Sequence, residues 1–326
     1  ALHPVAAYGV TYLIQRSILM ATLFVMLMLL TYLQGLLRGS WYWMLAAVLF
    51  YFAAVYSKEH SVAAPGVALA MTFLVRKPSL ALFKQISRYY IILAILAMTV
   101  LYAISKMGIL ATAYEPHSLE ILKLSAQRQG VTELPNPYLL SILTQSFLFF
   151  KYLMLWLLPN PAWMSVDMRE PLAVSYLSWP HTLGLVGFLV YPCVAVWLLL
   201  KQGKMGLLGF ALLFPWILFL TELSTVRAQE PFVLYRSYLW MPGLFVALPA
   251  IFANIAPRRA FIILGVFAVT LIPLSLNRLN TFSSALLLWD DAEKLVQDKH
   301  NMPGVERIYN LRAQELAKLQ RYEEAV

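Results

Sequence analysis

Apolar runs long enough, or nearly long enough, to cross a lipid bilayer recur along this chain of 326 residues. They fall at about 17–37, 41–56, 60–75, 89–106, 181–200, 206–221, 238–256 and 259–277. A membrane-crossing helix needs roughly 20 predominantly apolar residues for about 30 Å of hydrocarbon. We read these runs as eight spans, several of them short, in an all-α, polytopic helical membrane protein. Composition agrees: 61% of residues are hydrophobic and 13% charged, against roughly 45–50% and 25% in soluble domains. That excludes a soluble globular domain, a disordered chain and a disulfide-stapled secreted scaffold. The single cysteine, Cys193, lies in an apolar run and supports no disulfide framework and no cysteine-based metal site.

A ninth stretch, 138–158, is apolar but interrupted by Gln145 and Lys151 and preceded by Pro135 and Pro137. Charge decides how to read it. If it lies along the membrane surface, one side of the bilayer holds Arg38, Arg76, Lys77, Lys84, Arg88, Lys201, Lys204, Arg258 and Arg259, and no acid. All 16 acids fall on the other side with the remaining 25 − 9 = 16 basic residues. The whole net charge of +9 then sits on one face, which the positive-inside rule makes cytoplasmic. A crossing at 138–158 would scatter those basic residues over both sides. The excess is therefore a topology signal and implies no nucleic-acid partner.

The outer side then collects the segments with chemistry: 1–16, loops 57–60, 107–180 and 222–237, and the tail from Arg278. The 107–180 loop is long and rich in aromatics and prolines, and is expected to carry interfacial helices. The membrane region is assigned to 1–277, and 278–326 to a linker and one partial repeat. The tail is charged and helical in pattern. Tyr309, Ala313 and Leu316 stand where the first helix of a tetratricopeptide repeat places bulky, small and bulky residues, with Tyr322 and Ala325 opening the second. The chain lacks an initiator Met and ends in mid-helix by its pattern, so we expect a piece of a longer protein.

Several constellations have chemical potential. Loop 222–237 is the densest, with Glu222, Arg227, Gln229, Glu230 and Arg236, the last at the mouth of a span. A guanidinium there offers a planar fork for phosphate or carboxylate, although an interfacial Arg also snorkels to headgroups. Ser57-Lys58-Glu59-His60 joins two short spans, where charged residues are costly and tend to be paired or functional; a solvated turn is the alternative. His3-Pro4 and Gln15-Arg16 bracket a segment with an apolar face, and His3 and Arg16 are expected at the outer interface. The adjacent acids Asp290 and Asp291, and Asp167 with Glu170, lack metal-ligand spacing with a histidine, and no metal is expected. Walker, GxGxxG, HExxH and GxSxG patterns are absent, as are intramembrane acids of the proton-relay kind. No Asn-x-Ser/Thr sequon occurs, which suits a bacterial membrane better than an endoplasmic-reticulum one.

These elements, in this order, resemble the multi-spanning GT-C glycosyltransferases fused to tetratricopeptide repeats, similar to the transmembrane-and-repeat protein O-mannosyltransferases and their bacterial relatives. The likeness runs through His3-Pro4 and Gln15-Arg16, Ser57-Lys58-Glu59 before Pro65, and Leu143-Thr144-Gln145 before Lys151-Tyr152. It continues through Pro159 and Asp167, Phe232 to Tyr238, and Leu286 to Asp291 leading into the repeat. Two departures stand out. An acid is common two residues before the Arg of the Tyr-Arg-x-Tyr-Leu element, where this chain has Leu234, leaving Glu230 or Glu222 as substitutes. The proline that often follows is Trp240.

The resemblance implies transfer of a sugar from a polyprenyl-phosphate donor to a protein hydroxyl at the outer membrane face, with inversion. Arg236 is then the first candidate to hold the donor phosphate, Lys58 the second, with Arg16 and His60 following. Glu59, Glu222, Glu230 and Tyr238 would hold sugar hydroxyls or brace the cations. The usual catalytic Asp lies upstream of the His-Pro element, so no catalytic base is named, and the fragment alone is expected to be inactive. No cofactor is implied beyond the lipid-linked sugar substrate. Partners would be membrane lipid, that donor, and an acceptor protein presented by the repeats. The location would be a bacterial inner membrane with periplasmic repeats, ahead of the endoplasmic reticulum. Competing readings are a glycan or lipid acceptor, a lipid-linked sugar transporter, and a noncatalytic membrane scaffold.

Overall fold

The computed structural model describes residues 2–11, 15–113, 115–299 and 302–324. Among them are thirteen α-helices and no strand; Met168 and Phe232 form an isolated bridge. The helices are α1 (Pro4–Thr11), α2 (Arg16–Arg38), α3 (Trp41–Ser57), α4 (Ala64–Val75), α5 (Leu80–Lys106), α6 (Ser118–Arg128) and α7 (Pro137–Leu157). They continue with α8 (His181–Leu200), α9 (Gly203–Phe219), α10 (Leu248–Ile251), α11 (Pro257–Thr281), α12 (Ala285–Lys294) and α13 (Glu306–Lys318).

Six helical segments are long and apolar enough to cross a membrane: α2, α5, α7, α8, α9 with its extension to Ser224, and α11. That set is compatible with a multi-pass integral membrane protein. Five of the eight expected spans are among them. The other three are shorter apolar helices, at Trp41–Ser57, Glu59–Val75 and Met241–Ile251. The run at 238–256 departs most from expectation, being a 3-10 helix over Met241–Ala247 followed by the single α-turn of α10. Pro242 and Pro249 each remove a backbone donor, which disfavours a continuous α-helix. The segment still runs the length of α9: Gly243 sits against Phe214, and Asn254 accepts a bond from Lys204 at 2.6 Å.

Close helix pairs build the bundle. The buried face of α2 is Ile18, Ala21, Val25, Met28, Leu29, Tyr32 and Leu36, the three-and-four spacing of one helical stripe. Gly39, at φ +64°, ends α2 in the left-handed conformation that lets α3 turn back. The α8–α9 hairpin closes tighter still, since a Cβ at Gly209 would lie 2.3 Å from the Leu199 nitrogen.

The two ends of the bundle differ in charge. Arg76 donates to the Leu36 carbonyl at 2.9 Å, and Leu74 lies beside Gly206, so Arg38, Arg76, Lys77, Lys201 and Lys204 share one end. Helix α5 leaves that end with Phe83 against Phe73 and finishes at the opposite end, where Met107 shares a cavity with Glu59.

Helix α7 lies against that opposite end. It touches the first half of α8 through Phe147–Gly184 and Phe150–Gly187, and the end of α9 through Phe149–Phe219. In the tail, α13 packs on α12 around Ala292, Val296, Val305 and Ile308. Leu316 is buried and Tyr309 is partly buried against this cluster. Tyr322 is exposed in a 3-10 turn, Tyr322–Glu324, and Ala325 lies outside the described residues.

Candidate functional site

Three chain segments converge where α3 meets α4, where α9 ends, and where the loop after α9 begins. Lys58 is extended and closes α3; a 3-10 turn over Glu59–Ala63 follows, and Pro65 starts α4. The Tyr51 hydroxyl donates to the Val62 carbonyl at 3.0 Å and pins this turn to α3. Glu222 lies in the 3-10 extension of α9, Leu220–Ser224.

Loop 225–237 is held along its length by one face of α7. Ser141 donates to the Thr225 carbonyl and accepts from the Arg227 nitrogen, at 3.3 and 2.9 Å. Gln145 donates to the Pro231 carbonyl at 2.8 Å. The Tyr152 hydroxyl donates to the Val233 carbonyl and accepts from its nitrogen, at 3.0 and 2.8 Å. Trp156 donates to the Ser237 hydroxyl at 2.9 Å. Positions 141, 145, 152 and 156 recur on one helical stripe. The glutamine that interrupts the apolar run is thus one of the groups fixing the loop that carries Arg236.

The side chains form a chain of alternating charge. His60 lies between two carboxylates, with Nδ1 3.1 Å from Glu59 and Nε2 3.1 Å from Glu222. The distances are those of ion pairs, while the angles fall short of good hydrogen bonds. Two acceptor-only neighbours leave the imidazole no partner for a lone pair, so both its nitrogens carry protons. Glu222, 1% exposed, also faces Arg236 at 3.5 Å and Arg227 at 3.7 Å. Arg227 reaches Glu115 at 3.8 Å, and Arg236 reaches Glu230 at 3.6 Å. Lys58 pairs with Glu59 at 3.6 Å. Burial alone would raise the Glu59 carboxyl, but the His60 imidazolium 3.1 Å away, with Lys58, holds it at about 2.

Two cavities meet at this cluster. A polar one of about 370 Å3 is lined by Lys58, Glu115, Glu230, Tyr235 and Arg236 among others. A larger one of about 570 Å3 is mostly apolar, lined by Leu101, Ile104, Met107, Leu110 and Leu220. Glu59, His60 and Arg227 line both. The combination suits an amphipathic molecule, with an anionic group among the guanidiniums and an apolar chain along α5. No three His, Cys, Asp or Glu side chains converge as metal ligands among the described residues.

Of the residues named from sequence, Arg236, Lys58, His60, Glu59, Glu222 and Glu230 come together. Arg16 and Tyr238 do not. Arg16 is exposed at the start of α2 and lines neither cavity, whereas its neighbour Gln15 lines the polar one. Tyr238 packs on Gly9 of α1, and Tyr235 takes the place at the cavity expected of it. His3 is buried instead of interfacial: it stacks on Trp156 at 4.6 Å, and its Nδ1 accepts from the Val5 nitrogen. Arg227 and Glu115 join the cluster beyond the ligands that the sequence suggests. The crowding of charge in 222–237 was the signal for Arg227, but Glu115 had none, being one polar residue in a long loop. Compared with known proteins, the chain matches no family model, no curated protein and no solved structure.

Proposed function

We propose that the protein transfers a sugar from a polyprenyl-phosphate donor to a protein hydroxyl, as a GT-C-type glycosyltransferase of a bacterial inner membrane. The observation that carries this reading is the junction of an apolar and a polar, arginine-bearing cavity at His60 and Arg227. The resemblance of the ordered motifs to that enzyme class supplies the chemistry. The gathering of five basic residues at the far end of the bundle agrees with a cytoplasmic end there and an outer site here.

In this reading the polyprenyl chain lies against α5 and the donor phosphate faces Arg236, Arg227, Lys58 and His60. The acceptor oxygen attacks the anomeric carbon from the face opposite the phosphate. The bond from that carbon to the phosphate oxygen breaks, and lipid phosphate leaves with the electron pair. Guanidiniums preorganised at that oxygen stabilise the charge as it develops. The acceptor proton passes to a carboxylate, which the resemblance places upstream of residue 1. Glu222 braces three cations at once. Arg16 and Tyr238 have no part in it. The repeat that α13 would begin presents the acceptor.

The test is turnover of a polyprenyl-phosphate-linked sugar in nanodiscs by the whole protein. Arg236→Ala is expected to abolish transfer without loss of expression or of the folded state. Near-normal turnover would remove Arg236 from the phosphate site.

A further inference from the structure

Glu230 is shared between the site and the tail. Its Oε1 accepts from Arg307 of α13 at 2.8 Å, and its Oε2 faces Arg236 at 3.6 Å. Arg307 therefore holds the carboxylate at hydrogen-bond distance, while Arg236 stands back from it. The tail is placed for this. Gly304, at φ +89°, turns the chain into α13 against Arg169, where a Cβ would meet the guanidinium at 2.4 Å. Arg169 in turn donates to the Gln229 carbonyl at 2.7 Å and to Asp167 at 2.7 Å. Residues 229 and 230 are thus gripped by two arginines from outside the loop. Asp167 also faces Arg307, at 3.7 Å.

The electrostatics give the sign. Without Arg307, the strongest cation within reach of Glu230 is Arg236, and a carboxylate and a guanidinium at this separation close into a direct pair. An anion would then have to displace Glu230 before it reached Arg236. We infer that Arg307 is a positioning residue: it draws Glu230 outward and so leaves the Arg236 guanidinium open to the anionic headgroup. This rests on the proposal that Arg236 meets a lipid phosphate. It makes docking of the tail and occupancy of the membrane-level site mutually favourable, since coupling between sites is reciprocal.

The experiment measures binding of a polyprenyl monophosphate probe to the full chain in nanodiscs, with the neutral polyprenol as control. Arg307→Gln is expected to weaken phosphate binding about tenfold, within the usual range of site-to-site coupling. Because the defect comes from Glu230 falling back on Arg236, it disappears when that carboxylate is also removed. The double variant E230Q/R307Q then binds within about twofold of E230Q alone, inside the error of independent effects. Unchanged hydrogen-exchange protection of α13 in R307Q separates this outcome from a tail that no longer docks. Arg307→Lys keeps the cation for a single bond and binds as the unsubstituted chain does. Wild-type binding by R307Q, a double variant as weak as R307Q, or a weak R307K each overturns the role of Arg307. If the unsubstituted chain prefers polyprenol, or binds neither lipid, the functional proposal fails, and this one with it.

Discussion

His60 Nε2 lies 3.1 Å from Glu222 Oε1, joining the 3-10 turn before α4 to the 3-10 extension of α9, beside Arg236. Each residue is almost wholly buried. A carboxylate facing His60, Arg227 and Arg236 is the counter-charge that all three share. Glu222→Gln keeps the shape and removes the charge, leaving three buried cations with only Glu59, Glu115 and Glu230 to balance them. The expected cost is about 3 kcal/mol or more, read as a lower thermal midpoint in detergent. Glu222→Asp should recover part of it. An unchanged midpoint for E222Q would show that the three cations are balanced elsewhere.

Glycine substitutions separate packing from propensity. Gly209 in α9 meets the backbone of Leu199 and Ala195 at 2.3 and 2.5 Å from its ideal Cβ, so Gly209→Ala forces the hairpin apart. Gly265 in α11 has nothing within 4 Å of the same position. Gly209→Ala should cost at least about 2 kcal/mol, typical of overpacking. Gly265→Ala should be neutral, or stabilising by up to about 1 kcal/mol from helix propensity. Thermal unfolding of the two variants in parallel checks the contrast.

Tyr152 holds both backbone groups of Val233, and its hydroxyl is buried. Tyr152→Phe leaves a buried N–H and a buried C=O without that partner, at a cost of about 2 kcal/mol. The loop carrying Arg236 should then exchange its amide hydrogens faster at 232–237, while α8 and α9 keep their protection. Hydrogen exchange read by mass spectrometry tests this.

His3 supplies the pH dependence. Burial lowers its pKa from 6.5 to about 4, with the Trp156 carbonyl opposing the shift. Between those values the unfolded chain binds a proton that the folded chain refuses, so stability rises with pH. The contribution is fully present above about pH 6.5 and declines as pH falls toward 4. Beyond that it falls no further. Thermal midpoints at pH 7 and pH 4.5 should differ less for His3→Asn, which keeps an acceptor for the Val5 nitrogen, than for the unsubstituted chain. Equal slopes would mean that His3 accepts a proton without disturbing its stack on Trp156.

Apolar periodicity and charge carried much of this from sequence. Long uninterrupted runs such as 181–200 became helices close to their expected bounds. The run at 238–256, with two prolines seven residues apart, broke into short turns, whereas α8, α9 and α11 each absorb a single internal proline; hydropathy registers neither. The polar tetrapeptide at 57–60 and the dense loop at 222–237 were legible because charge beside a span is costly, and the two meet. Their partner Glu115 was not, because nothing local marks one glutamate in a long loop as the neighbour of Arg227. Arg16 and Tyr238 were misplaced for a related reason. A helix turns about 100° per residue, so pattern alone does not say whether residue 15 or 16 faces a cavity.

The most direct measurement places a photo-reactive amino acid at Ile104, on the wall of the apolar cavity, and asks which lipid it captures. The account predicts capture of polyprenyl phosphate from mixed nanodiscs in preference to polyprenol, with the preference lost in Arg236→Gln. Equal capture of both lipids, or a phosphate preference that survives R236Q, would contradict it.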